Sequence, residues 1–153
     1  PVLVEIEALV APSSLATPRR NVVGWDSGRL AMLTAVLEAR CGVLLSGHDI
    51  FLNVAGGLKI TETAADLAVA AALMSSITGR PAPKRTVFFG EVALSAELRQ
   101  VAQSDARLKE AAKLGFDNAV MPRPRKASVK HAEINLSQPL ILADLIDIMG
   151  GIN

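Results

Sequence analysis

The segment at residues 67–74, LAVAAALM, has no polar side chain, and it constrains the fold more than any other part of the chain. A helix without a polar face cannot lie on a protein surface, so the other elements must pack around it. Residues 52–57 before it form a strand-like pattern that ends in Gly56 and Gly57. We therefore predict a strand, a short crossing segment and a central helix over residues 52–74.

The rest of the chain predicts one α/β (α+β) domain over residues 1–153, with a mixed sheet and hairpins packed on helices. Half of the 153 residues are hydrophobic and only 3% are aromatic, which predicts a core of Ala, Leu, Val and Ile. Alternation and helical spacing predict the individual elements. The strands are 2–10, 43–45, 50–54, 86–89, 92–94, 98–101, 118–121 and 133–136, with turns at 46–49 and 95–97 joining two hairpins. The helices are 28–40, capped by Asp26 or Ser27 and ended by Gly42; 104–115, capped by Ser104; and 139–149.

The formal net charge is only +1, but the basic residues are clustered along the sequence. Arg19 and Arg20 lie in the predicted loop 11–24, and Lys59 follows the glycine pair. The loop 123–130, RPRKASVK, adds Arg123, Arg125, Lys126 and Lys130. Solvated loops explain such clusters, but clustered cations are also what phosphate contact requires, so the six residues of these two clusters are candidates for DNA binding. Lys59 is a lone cation, and only the family resemblance described below makes it a seventh candidate.

Metal and membrane sites are not expected. With Cys41, His48 and His131 as the sole Cys and His residues, a zinc site and an internal disulfide are both unexpected. Glu62 and Asp66 could form a paired-carboxylate site, although residues at a helix start more often cap it. Trp25 is interpreted as a hydrophobic staple or an interface anchor. No apolar run approaches the ~20 residues of a membrane span, so we expect a cytoplasmic protein.

Two stretches carry a resemblance to a known family. The Gly pair followed by the turn Glu62-Thr63-Ala64-Ala65-Asp66 resembles the proteolytic domain of the Lon protease family, and so does the stretch 90–122. In that family the turn holds a nucleophilic serine, and a lysine near the start of a later helix activates it. The corresponding positions here are Ala64 and Asp105, so the resemblance implies a Lon-like fold without peptidase activity.

A narrower resemblance covers about residues 2–150. TETAADLA at 61–68 and GWDSGRL at 24–30, followed by AMLTAVLEAR, are similar to the C-terminal domain of the RadA (Sms) family of bacterial DNA repair proteins. The resemblance implies a C-terminal domain that assembles into a ring, a hexamer, around single-stranded or branched DNA during recombinational repair and branch migration. Zinc, ATP and Mg²⁺ would belong to upstream domains of a DNA-dependent ATPase, and a recombinase is a further partner. No cofactor is expected in this domain.

Two alternatives stay open from the sequence. The first is an active ATP-dependent Lon-type serine peptidase with a shifted dyad, for which Ser75, Ser76, Lys109 and Lys113 are the available side chains. The second is a protein-interaction module that does not bind nucleic acid. Charge reversal at Arg123 and Lys126 separates that module from a DNA-binding domain. If the chain is such a module, the charge reversal would leave its affinity for an oligonucleotide unchanged.

Overall fold

The structure is a computed structural model that describes residues 2–124 and 133–150. In chain order the elements are β1 (Ile6–Pro12), β2 (Arg20–Val23), α1 (Ser27–Cys41), β3 (His48–Val54), α2 (Asp66–Thr78), β4 (Thr86–Phe88), β5 (Glu91–Val92), β6 (Leu98–Arg99), α3 (Ser104–Lys113), β7 (Asn118–Val120), β8 (Asn135–Ser137) and α4 (Asp144–Ile148). Two short 3₁₀ turns, Ala55–Gly57 and Thr63–Ala65, lie between β3 and α2.

The strands form three small sheets. The first sheet has the order β1-β3-β2, in which β3 runs antiparallel to β1 and parallel to β2. The second sheet is parallel and has the order β4-β7-β8, and β5 and β6 form an antiparallel pair. The predicted α/β class and the second hairpin are confirmed, whereas the single mixed sheet is replaced by three separate ones.

Helix α2 lies at the centre, as its composition predicts. Leu67, Val69, Ala70 and Leu73 are fully buried, and the helix packs against β1, β4, β5 and α1. These residues belong to the main hydrophobic core, which α1 and the first sheet complete. A smaller apolar cluster around Phe89, Leu108 and Met121 joins α3 to the second sheet.

The predicted hairpin at residues 43–54 is wrong. Residues 43–45 form no strand, although Val43 and Leu45 are buried in the main core. The Glu38 carboxylate on α1 accepts hydrogen bonds from the backbone N–H groups of Leu45, at 2.6 Å, and Ser46. The segment is therefore held to α1 instead of to β3, and its apolar pattern reflects core packing.

Strand β2 was not predicted, and β1 begins later than predicted. The loop predicted at residues 11–24 contains Arg20–Val23, which pairs with β3. Its partner is distant in sequence and its first two side chains are polar and exposed, so no alternating pattern identifies it. β1 begins at Ile6 instead of Val2, because its ladder with β3 begins at the Ile6–Val54 pair.

The helix ends differ from prediction in the second half of the chain. α1 is confirmed: Asp26 caps it by accepting from the Arg29 N–H at 2.8 Å, and Gly42 ends it. At α3 the N-cap position is Gln103, because the Ser104 hydroxyl donates to the Val101 carbonyl instead of capping. The last helix is shorter than the predicted 139–149. Trp25, predicted as a hydrophobic staple or an interface anchor, is buried in the main core and directly precedes the Asp26 cap, which is the position of a staple.

No helix in the part of the chain that the structure describes is both long enough and apolar enough to cross a bilayer.

Candidate functional site

The turn that precedes α2 is held by backbone hydrogen bonds to the end of the second sheet. Ala64 is buried within the 3₁₀ turn Thr63–Ala65, and its carbonyl accepts from the Gly90 N–H at 2.9 Å. The Leu67 N–H in turn donates to the Gly90 carbonyl at 3.1 Å. A methyl group therefore occupies the position where the Lon-type resemblance implies a nucleophile.

Gly90 allows this close approach. Its φ is +154°, and a Cβ added there would lie 2.7 Å from Pro122 Cγ and 3.5 Å from Leu67 Cδ2. Since real Cβ atoms do not come within 3.0 Å of other heavy atoms, a larger residue would collide with the Pro122 ring, whereas its distance to Leu67 would be an ordinary contact.

Asp66 forms a buried ion pair behind the turn. Its side chain is 0% exposed; Oδ1 accepts from Arg29 Nε at 2.7 Å, and Oδ2 accepts from the Val92 N–H at 2.9 Å. Arg29 Nη2 also donates to Oδ2, and this hydrogen bond raises the pKa of the Arg29 guanidinium. The carboxylate was predicted to cap a helix, but it joins α1, α2 and β5. Sequence spacing carried no signal for the Arg29 partner, which lies 37 residues away.

Glu62, the second carboxylate of the turn, faces α3. It pairs with Arg107, with 2.8 Å between Oε2 and Nη2, and Arg107 Nε donates to the Ala102 carbonyl at 3.0 Å. The Arg107 guanidinium lies over the Phe89 ring, 6.0 Å from its centroid. Glu62 and Asp66 therefore have separate cationic partners. Among the described residues, no three His, Cys, Asp or Glu side chains are grouped to hold a metal ion.

Ala64 and Asp105 line different cavities. Asp105 is exposed in the first turn of α3, as predicted, and lines a depression of about 260 Å³ with Gln100 and Met121. Ala64 lines a groove of about 1080 Å³. Residues of β1, α2, β4 and α3 and the segments 2–5 and 58–62 form this groove, and Lys59 lies on it. Its floor includes Ala68 and Ala72 on the half-buried side of α2.

Arg19 and Arg20 lie at the end of the first sheet where β2 begins. The Asp49 carboxylate accepts from the Arg19 N–H at 2.7 Å and from its Nη2 at 2.8 Å, and the side-chain hydrogen bond lowers the pKa of Asp49 to about 2. The Arg19 guanidinium also lies over the Phe51 ring, at 5.8 Å. Arg20 Nη2 donates to the Leu45 carbonyl at 3.2 Å and remains exposed.

Two of the other predicted cations, Lys59 and Arg123, lie in described segments of the chain. The Ile60 N–H donates to the Gly24 carbonyl just past the end of β2, so Lys59 lies at the opposite end of the sheet from Arg19 and Arg20, roughly 15 Å away at the usual rise per strand residue. Arg123 is exposed after β7, and its carbonyl accepts from Gln100 Nε2. Arg125, Lys126 and Lys130 lie outside the described residues.

Comparison with known proteins identifies the family. The family model described as "Subunit ChlI of Mg-chelatase" matches residues 30–125, more than half of the chain. The chain belongs to this family. The match to the ChlI family begins within α1, just after Arg29, and runs past β7, so it includes Asp66, the Ala64 turn and most of the groove.

Curated relatives of this ChlI-family chain carry another name. The chain is 57% identical over 146 residues to a protein of Brucella abortus named DNA repair protein RadA, an alignment that covers 95% of this chain and 31% of the relative. Proteins of the same name from Rickettsia bellii and Pseudomonas aeruginosa are each 53% identical, covering 78% and 80% of the chain and 27% of each relative. The chain thus spans about a third of the length of the curated relatives it matches.

Proposed function

We propose that this chain is the Lon-like, proteolytically inactive domain of a RadA-type DNA repair ATPase. In this proposal it is a pseudo-protease that assembles into a homo-oligomeric ring, a hexamer, and contributes non-specific DNA contact. ATP hydrolysis, with its Mg²⁺, and zinc binding belong to other domains of the longer protein, which acts in the cytoplasm with a recombinase. The observation that carries the proposal is the 57% identity over 146 residues to a relative named DNA repair protein RadA.

The absence of peptidase chemistry is supported at both dyad positions. A serine–lysine dyad needs a hydroxyl nucleophile beside a neutral amine. Ala64 has neither a hydroxyl nor a thiol, and Asp105, which cannot replace the amine, lines a different cavity.

The shifted dyad is less well supported, because the available serines have structural roles. The Ser75 hydroxyl donates to the Arg80 carbonyl at 2.6 Å, and the Ser76 hydroxyl accepts from the Val10 N–H at 2.8 Å. Lys109 and Lys113 are exposed on α3, whereas the lysine of a serine–lysine dyad lies in an apolar pocket. We expect no serine of the chain to be labelled by a fluorophosphonate probe, and stoichiometric labelling would contradict the proposal.

DNA contact and assembly can be tested together by sedimentation velocity of the 153-residue chain with a fluorescent single-stranded oligonucleotide, at low and moderate salt. We expect a ring-sized species that carries the label and loses it as salt rises, since phosphate contacts release counterions. Arg20→Glu combined with Arg123→Glu is expected to weaken binding at least tenfold. Lys84→Glu combined with Lys109→Glu, at exposed cations outside the candidate set, makes the same change in charge and serves as the control.

The result divides the proposal into its parts. A ring that never carries the label would leave assembly as the function of this domain and assign DNA contact to the rest of the longer protein. Equal losses in both double variants would mean that the candidate cations act only through net charge. A monomer that binds no oligonucleotide would contradict both parts.

A further inference from the structure

β1 has an unpaired edge that faces the groove. Its hydrogen-bonded pairs with β3 fall at odd-numbered residues, since Ala55 N–H donates to the Glu5 carbonyl and Ser13 N–H to the Gly47 carbonyl. In an antiparallel ladder the alternate residues direct their backbone groups away from the partner strand. The N–H and C=O groups of Ile6 and Ala8 therefore point to the open edge, and both residues line the groove.

β4 has an open edge on the same groove. The Arg85 carbonyl accepts from the Asn118 N–H and the Phe89 N–H donates to the Val120 carbonyl, so the odd-numbered residues bond β7. Thr86 and Phe88 direct their backbone groups the other way, and both line the groove. Gly90 continues this edge, but its backbone groups already bond Ala64 and Leu67.

α2 connects the two open edges and forms the floor between them. Its start bonds the β4 edge at Gly90, and Ser76 near its end bonds the β1 edge at the Val10 N–H. Between these points the helix presents the small side chains of Ala68 and Ala72, which leave the groove wide. In the described residues no strand pairs with the open edge of β1 or of β4.

The charges on the groove favour a polypeptide over a nucleic acid. The charged lining residues are three carboxylates, Glu5, Glu62 and Glu110, and two cations, Lys59 and Arg107. Three carboxylates and two cations give the lining a net charge of −1, which disfavours a phosphate backbone. The open strand edges can bond the main chain of an extended peptide, and the apolar floor can contact every second side chain of that peptide.

We propose that the groove binds an extended segment of a partner protein, which adds as a strand to the open edge of β1. The bound segment accepts from the N–H groups of Ile6 and Ala8 and donates to their carbonyls. Its inward side chains are apolar and fill the space over Ala68 and Ala72, and its charged side chains are basic, complementary to Glu5 and Glu110. This inference rests on the groove alone and goes beyond the proposed function.

The test is selection of 12-residue random peptides displayed on phage against the intact 153-residue chain, followed by fluorescence polarisation with the enriched peptide. Ala8→Pro removes the N–H of residue 8, which points to the open edge of β1, and proline is tolerated at such an edge. The bound strand needs this N–H as a hydrogen-bond donor. Ala72→Phe fills the floor of the groove. We expect each change to weaken binding at least tenfold.

The controls keep loss of folding apart from loss of binding. Val22→Pro places proline at the other edge of the same sheet, and Ala102→Phe enlarges an exposed residue outside the groove, and both should bind like the original chain. All four variants are first shown to unfold cooperatively. The bound peptide should also slow amide hydrogen exchange at Ile6 and Ala8.

Several results would overturn the inference. The first is a selection that enriches no peptide. The second is an enriched peptide that binds both Ala8→Pro and Ala72→Phe as tightly as the original chain. The third is an enriched peptide that contains no basic residue and binds with an affinity that does not depend on salt. Displacement of the peptide by a single-stranded oligonucleotide would assign the groove to nucleic acid instead. A change in sedimentation of Ala72→Phe without peptide would assign it to a second copy of the chain. None of these results depends on the DNA contacts at Arg20 and Arg123.

Discussion

At the scale of single residues, the buried charge of Asp66 is the most demanding feature of the fold. A carboxylate that loses all contact with water is stable only when its partners replace the lost hydration. Arg29 and the Val92 N–H supply that replacement, and the remaining exposure of Arg29, 26%, lets it reach solvent while Asp66 cannot. The two members of the pair should therefore respond differently to substitution.

We expect Arg29→Ala to lower the free energy of unfolding by about 3 kcal/mol, since it leaves an uncompensated buried charge. Asp66→Asn should cost less, about 1–2 kcal/mol, because the amide is neutral and its oxygen can still accept from Val92. Arg40→Ala, at the last turn of the same helix, is the control and should cost only a few tenths of a kcal/mol. Urea unfolding measures all three, and equal losses at Arg29 and Asp66 would contradict a buried-charge role.

Asp49 makes the free energy of unfolding depend on pH in the acid range. Its pKa is about 2 in the folded chain, where Arg19 binds the carboxylate, against about 3.9 when unfolded. The depressed pKa stabilises the fold above about pH 4, and that contribution is lost as pH falls towards 2. The urea midpoints of the original chain and Asp49→Asn should therefore converge between pH 5 and pH 2. Asp117→Asn, which breaks an exposed pair, is the control, and a gap for Asp49→Asn that stays constant with pH would exclude the effect.

At the scale of elements, the contact between the end of β4 and the start of α2 holds the candidate site together. It consists of two backbone hydrogen bonds around Gly90, so it depends on how closely the backbones approach and not on side-chain chemistry. This contact orients the Ala64 turn and forms one end of the groove. A methyl group added at Gly90 would collide with Pro122, so we expect the backbone of Gly90 to move and to disturb this contact.

Gly90→Ala should lower the free energy of unfolding by about 3 kcal/mol, because the added Cβ collides with Pro122 in a backbone conformation that disfavours side chains. Gly57→Ala is the matched control: its φ is also positive, +70°, but no atom lies within 4 Å of the added Cβ. It should cost about 1 kcal/mol from backbone strain alone. If urea unfolding shows the same loss for both variants, the collision with Pro122 has no energetic effect.

At the scale of the whole molecule, the chain is organised around α2, with the first sheet and α1 on the main core and α3 and the second sheet on a smaller cluster. Within the described residues no strand pairs with the outer edge of β1 or of β4, and α2 bonds these edges through Ser76 and Leu67, at Val10 and Gly90. The groove results from this arrangement of whole elements. The types of the residues that line the groove would not identify it in the sequence.

The sequence by itself determined the central helix, α1 with its Asp26 cap and the β5–β6 hairpin. These features depend on local periodicity, capping and residue type, all of which are visible in a short window. The tertiary structure alone decided the parallel pairing of β2 with β3, the Arg29 partner of Asp66 and the groove. Each of these joins residues that are distant in sequence, and such contacts are selected by the packing of the whole chain and not by local preference.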